Sequence, residues 1–299
     1  MRERKMLKNL LRTCSLVILI ALATVPPSVS SADEKSAAQI REEVWSLLLP
    51  FPILARLVRP VGTGPFPLVI MNYGISFDQQ QGRSDPPFEF RDAAHWFAQR
   101  GYAVITPIGP SSGGDALDLP ERELYKLYFS SVENCDDPYS LRGSAARATA
   151  NKWIIDYMTR ERLIIPNKVI VVSQSAGAWA AIALSSLNPT STRAIITFAA
   201  GRRVDGKAEN SCVSRNLIEA AREFGRTSRI PMLWIYSSKE TYFGPELSKQ
   251  VHEAFTGAGG MAEYQLLPSD GRGAESFSPD GISTWAPLVS RFLDRLRSE

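Results

Sequence analysis

Residues 168–184 read Lys168-Val-Ile-Val-Val-Ser-Gln-Ser-Ala-Gly-Ala-Trp-Ala-Ala-Ile-Ala-Leu184. A run of β-branched residues ends at Ser173-Gln174-Ser175-Ala176-Gly177 and passes without a linker into an alanine-rich stretch that favours helix. A strand that turns so sharply into a helix strains its apex residue and projects that side chain above the sheet. It also sets the free N–H groups of the helix beside that side chain. Small residues are needed two positions before and after the apex, where the two backbones nearly touch. Ser173 stands where such turns commonly carry a first glycine, and Gly177 supplies the second. Ser175 is thereby expected to be a nucleophile, with the N–H of Ala176 as one donor to a developing oxyanion.

Working outward, short apolar runs at 68–71, 103–107, 169–173, 194–198, 232–236 and 264–267 alternate with helix-like stretches at 90–100, 144–159, 176–187, 216–224, 246–255 and 283–296. Apolar runs without polar alternation are what strands covered on both faces look like. The pattern predicts an α/β protein with a mostly parallel central sheet flanked by helices on both faces. Residues 44–60 read as one or two antiparallel strands leading in, with Gly62-Thr63-Gly64-Pro65 as the turn after them. The stretches 108–142 and 200–212 lack periodicity, and loops of that length usually form functional rims or lids.

The chain has 299 residues, 44% of them hydrophobic and 22% charged, which excludes disorder and fibrous repeats. Its net charge of +3 is concentrated at the start, where Arg2, Arg4, Lys5, Lys8 and Arg12 face a single Glu3. Without residues 1–32, 29 basic residues remain against 30 acidic ones, so the body offers no electrostatic case for nucleic acid or an anionic membrane as partner. The basic start, the apolar run from Cys14 to Val25 and the small residues Ser30-Ser31-Ala32 read as a secretory signal peptide. That reading implies export to periplasm or medium and a single domain over residues 33–299. Cys14 then leaves with the leader. Cys135 and Cys212 remain as an even pair in an oxidising compartment, where a disulfide between the two long loops is expected.

Several segments together resemble the dienelactone hydrolase group of the α/β-hydrolase fold, over about residues 44–296. They are Pro65-Phe-Pro-Leu-Val-Ile-Met-Asn-Tyr-Gly74, Trp96-Phe-Ala-Gln-Arg-Gly-Tyr-Ala-Val104, Ser173-Gln-Ser-Ala-Gly177, Pro231-Met-Leu-Trp-Ile-Tyr236 and Tyr242-Phe-Gly-Pro245. The resemblance implies hydrolysis of a carboxylic ester or lactone through an acyl-Ser175 intermediate, without metal or organic cofactor. It places the second oxyanion donor at Ile75 and the triad acid at Glu240, in Ser237-Ser238-Lys239-Glu240-Thr241-Tyr242-Phe243. Tyr242 and Phe243 are expected as pocket walls.

At the third triad position the sequence departs from the pattern. Where the group has histidine after the last strand, this chain has Glu275, in Leu267-Pro-Ser-Asp-Gly-Arg-Gly-Ala-Glu-Ser-Phe277. There are 2 histidines in the whole chain, His95 and His252, and both fall inside predicted helices away from that position. Serine needs a group to take its proton, and imidazole suits the task because its pKa of about 6.5 lies near working pH. Loss of that base typically removes about six orders of magnitude in turnover. Three outcomes stay open: weak or lost hydrolysis, a secreted binding protein on a hydrolase scaffold, or an acid-active Ser175-Glu275-Glu240 hydrolase. In the last, two facing carboxylates would share a proton. Neither the glycine spacing of a dinucleotide fold nor a phosphate-cradling Gly-Lys-Ser/Thr loop is present, and the sequence has no close Cys/His cluster for a transition metal.

Overall fold

The structure is a computed structural model in which residues 39–49, 52–72, 89–109, 139–201, 212–239, 243–268 and 277–297 are described. The signal-peptide reading of 1–32, and Ile75, Cys135, Glu240, Tyr242 and Glu275, fall outside them, as does the side chain of Cys212.

The apolar run before Ser175 lies in strand β5 (Ile164–Gln174), and its consecutive apolar residues divide between two cores. Val169 and Val171 point into one hydrophobic cluster, and Ile170 and Val172 into the other, as the two-residue period of a strand requires. Being covered on both faces, the strand has no position for a solvated polar residue between Val169 and Ser173.

Around it the described strands are β1 (Ile40–Leu48), β2 (Pro52–Pro60), β3 (Phe66–Asn72), β4 (Ala103–Gly109), β6 (Thr192–Phe198), β7 (Met232–Ser237) and β8 (Ala262–Leu267). They form one eight-stranded sheet in the order β1-β2-β4-β3-β5-β6-β7-β8. Pairing from β4 through β3 to β8 is parallel. The lead-in region resolves into two strands, with β1 antiparallel to β2 and β2 antiparallel to β4.

The described helices are α1 (Glu89–Ala98), α2 (Tyr139–Arg160), α3 (Ser175–Ser186), α4 (Cys212–Thr227), α5 (Pro245–Gly257) and α6 (Pro279–Arg297). One face of the sheet packs against α2 to α5, through residues such as Ile155, Trp179, Leu217 and Phe255. The other face packs against α1 and α6, through Phe97, Trp285 and Val289. Trp179, Trp234 and Trp285 are fully buried, as expected of core tryptophans. Trp96 is half-buried, with the Arg100 guanidinium 3.8 Å from the centre of its ring.

Several elements begin earlier than the apolar pattern suggests. β5 starts at Ile164 instead of 169, since Ile164 pairs with Phe66 across an irregularity that leaves Pro166, Asn167 and Lys168 exposed. α2 starts at Tyr139 and α4 at Cys212, so the ends of both aperiodic stretches are helical. α6 starts at Pro279, where a fixed φ suits the first helical turn and Gly281 donates its N–H to Ser278 Oγ at 3.3 Å.

Candidate active site

The chain leaves β5 through Gln174, which is extended at φ −125° and ψ 146°, and enters α3 directly at Ser175. Ser175 has φ +55°. A side chain bearing Cβ in that left-handed region costs about 1–3 kcal/mol and persists only where the surroundings enforce it. Here the enforcement is burial: every residue of α3 from Ala176 to Ser185 is buried, so the helix axis has no freedom to relax. Ser175 itself is half-buried at the C-terminal edge of the sheet.

The side chain of Gln174 makes no capping hydrogen bond at the start of α3, and the first turn of the helix holds no acidic residue. The first-turn N–H groups, Ala176 among them, have no intrahelical acceptor, and the positive end of the helix dipole lies beside Ser175. This is the environment in which a negatively charged oxygen gains most from oriented backbone donors.

The small residue required before the apex is Ser173, which is fully buried. Its Oγ accepts a hydrogen bond from Asn72 Nδ2 at 3.4 Å, which ties the end of β3 to the strand beneath the corner. Asn72 is the last residue of β3, just before the segment in which the sequence places Ile75.

A second tie comes from the other side. After β6, Ala199 turns the chain with φ +45° and donates its N–H to the Ile235 carbonyl at 2.8 Å. The Ala200 carbonyl accepts the Tyr236 hydroxyl at 2.9 Å. Gly201 then donates its N–H to the Ser175 carbonyl at 3.4 Å. A Cβ on Gly201 would lie 2.3 Å from Cδ1 of Phe243, so only glycine fits between that ring and the corner. Phe243 is 4% exposed and belongs to the core, a buttress of the corner instead of the pocket wall expected of it.

The supporting roles of Asn72, Gly201 and Tyr236 come from other strands and leave little trace in the local sequence. A glycine three residues past an apolar strand was the one local signal of a close backbone approach.

β7 ends at Ser237 and β8 at Leu267, and their exits are joined by the Ser238 N–H donating to the Leu267 carbonyl at 2.9 Å. Glu240 follows Lys239 in the chain, and Glu275 lies two residues before Phe277, which is fully buried against Phe90 and Phe198. β7 lies two strands from β5, about 10 Å at ordinary strand spacing.

Both imidazoles of the chain are engaged away from the corner. His95, on α1, is hydrogen-bonded through Nε2 to Glu42 Oε1 of β1. His252, on α5, meets the Ala262 carbonyl through Nε2 at 2.9 Å, and its ring packs against Trp234 and Tyr264. Among the described residues no group of three or more His, Cys, Asp or Glu is arranged to hold a metal ion.

No family model and no curated protein matches the chain by sequence. Solved structures do. A protein from Klebsiella pneumoniae described as a dienelactone hydrolase superposes with a TM-score of 0.58 at 16% identity, covering 85% of this chain and 99% of that one. Esterase 2 of Thermogutta terrifontis, in its apo form, gives 0.56 at 16% identity, covering 88% and 96%. The acylaminoacyl peptidase of Pyrococcus horikoshii gives 0.57 at 13% identity over 87% of this chain but 42% of that one. At these identities the likeness concerns the course of the backbone. Together with the strand order and the left-handed serine at the β5–α3 corner, it establishes that the chain has the α/β-hydrolase fold.

Proposed function

We propose that the chain is an exported serine hydrolase that cleaves a small carboxylic ester or lactone through an acyl group on Ser175, and that it does so weakly because no imidazole serves that serine. The observation that carries this reading is the pairing of a strained Ser175 at the N-terminus of α3 with two histidines that are both bonded elsewhere. Strain at a single non-glycine residue in a buried corner is kept where it has a use.

In this reading Ser175 Oγ attacks the acyl carbon and its proton passes to Glu275, with Glu240 beside it as the second carboxylate. The N–H groups of Ala176 and Ile75 receive the oxyanion. Collapse of the tetrahedral intermediate breaks the bond to the leaving alkoxide, which recovers the proton as an alcohol, and water then releases the acid by the same path. Acyl transfer of this kind asks for no metal or organic cofactor. The basic, apolar and small-residue order of 1–32 supports cleavage of a leader and export, and an oxidising compartment supports a Cys135–Cys212 bridge.

The test is a fluorophosphonate probe together with a Glu275→His variant assayed on p-nitrophenyl acetate. Labelling that disappears in Ser175→Ala, an acid-shifted optimum, and a rise of orders of magnitude with Glu275→His would support the reading. Absence of labelling, with Glu275→His inert, would favour the second reading: a secreted binding protein on a hydrolase scaffold.

A further inference from the structure

At the opposite end of the sheet from Ser175 lies a cavity of about 510 Å³, within the range of small-molecule sites. Its apolar floor is built by Ile170, Leu293 and Leu296, each less than a tenth exposed, with the ring of Tyr102 beside them. These residues come from the start of β5, the end of α6 and the turn into β4, so the floor is fixed by three packed elements. Five residue steps lead from Ile170 along extended β5 to Ser175, about 16 Å.

The rim carries three cations and, among the described residues that line the cavity, no carboxylate. Lys168 stands exposed in the irregular start of β5 and has no described partner. Arg193 Nη2 donates to the Leu296 carbonyl. Arg297 Nη2 donates to the Tyr102 hydroxyl at 3.2 Å, and Nη1 approaches Asp294 Oδ1 at 3.4 Å. Each guanidinium is thus oriented by the fold while most of its five N–H donors remain uncommitted to these partners.

We infer that this cavity binds an organic carboxylate with a short apolar body, its tail on Ile170, Leu293 and Leu296 and its head between Lys168, Arg193 and Arg297. The cations select for charge and the floor for an apolar tail, so neither a bare inorganic anion nor a neutral chain satisfies both. The rim is exposed to solvent, so the charge contribution is screened and binding weakens as salt is added.

The probe is sodium octanoate, titrated calorimetrically at low ionic strength into the full chain carrying Ser175→Ala, which removes any acylation of the elbow and keeps this test separate from the proposed hydrolysis. Saturable binding is expected, weakened about two- to fivefold by Arg193→Gln and by Lys168→Gln, and about tenfold by replacing octanoate with octanamide, which meets none of the three cations as an ion. Lys168→Gln touches no described partner and should leave thermal unfolding unchanged, which guards against misfolding as the cause. The inference is overturned by any one of three results: no saturable binding up to about 10 mM, affinity unchanged in both variants, or inorganic phosphate or octanamide binding as tightly as octanoate.

Discussion

The backbone N–H of Gly201 reaches the carbonyl oxygen of Ser175, 26 residues earlier in the chain, at 3.4 Å. The corner that holds the candidate nucleophile is therefore clasped from the neighbouring strand as well as built by its own. Because the ring of Phe243 lies against Gly201, Gly201→Ala should destabilise the chain by about 1–3 kcal/mol, as overpacking does. Urea unfolding would measure it. In combination with Phe243→Ala the loss should be smaller than the sum of the two single losses, since the clash is removed.

Replacing Ser175 by glycine removes the left-handed strain but loosens the unfolded chain. Strain relief of about 1–2 kcal/mol exceeds the entropic cost of about 0.5–1 kcal/mol, so Ser175→Gly should be more stable than Ser175→Ala, which keeps the Cβ. Equal unfolding midpoints for the two variants would show that the corner is unstrained.

Much of this was legible beforehand, and the reasons differ by element. The cores of β3 to β8 announce themselves because strands buried on both faces must be apolar throughout, as at Val169–Val172. The start of β5 was hidden by Pro166 and Asn167, whose exposure reflects an irregular ladder that no local pattern encodes. The start of α6 was readable from Ser278 and Pro279 as cap and first turn, yet the apolar period begins only later and drew the boundary inward. Ser175 was legible because an elbow is a local motif. Its supports Asn72, Gly201 and Tyr236 were not, since each acts from another strand.

Thr197 is fully buried on β6, in register with Ser173 on one side and Trp234 on the other, and its hydroxyl has no hydrogen-bond partner among the described residues. A buried hydroxyl without a partner costs about 1–3 kcal/mol relative to a methyl of the same shape. Thr197→Val should therefore stabilise the chain by about 1 kcal/mol, which differential scanning calorimetry would register as a higher Tm.

Glu42 on β1 joins the sheet edge to α1, accepting from Arg91 at 2.7 Å and bonded to His95. Burial alone would raise its carboxyl, but the hydrogen bonds and charges of Arg91 and His95 together hold it below the usual carboxylate range. A carboxyl lowered in the folded state lends stability above its unfolded value near 4.5, and that stability is lost as pH falls through the lower folded value. In so solvated a cluster the contribution should be about 1 kcal/mol or less. Glu42→Gln should lower stability at pH 7 and flatten the acid side of the stability–pH curve. A variant curve parallel to the wild type from pH 7 to pH 3 would contradict this.

The ten buried residues behind Ser175 carry one more implication, for how such a protein can change over time. Because α3 is buried from Ala176 to Ser185 and much of it packs into an apolar core, the geometry of the corner is maintained by interior packing and not by whichever group accepts a proton outside it. A lineage could exchange that acceptor, histidine for glutamate, with little penalty in folding, and so keep the scaffold intact while its chemistry drifts. A single polar substitution inside the helix would have the reverse effect, removing the shape before any question of reactivity arose.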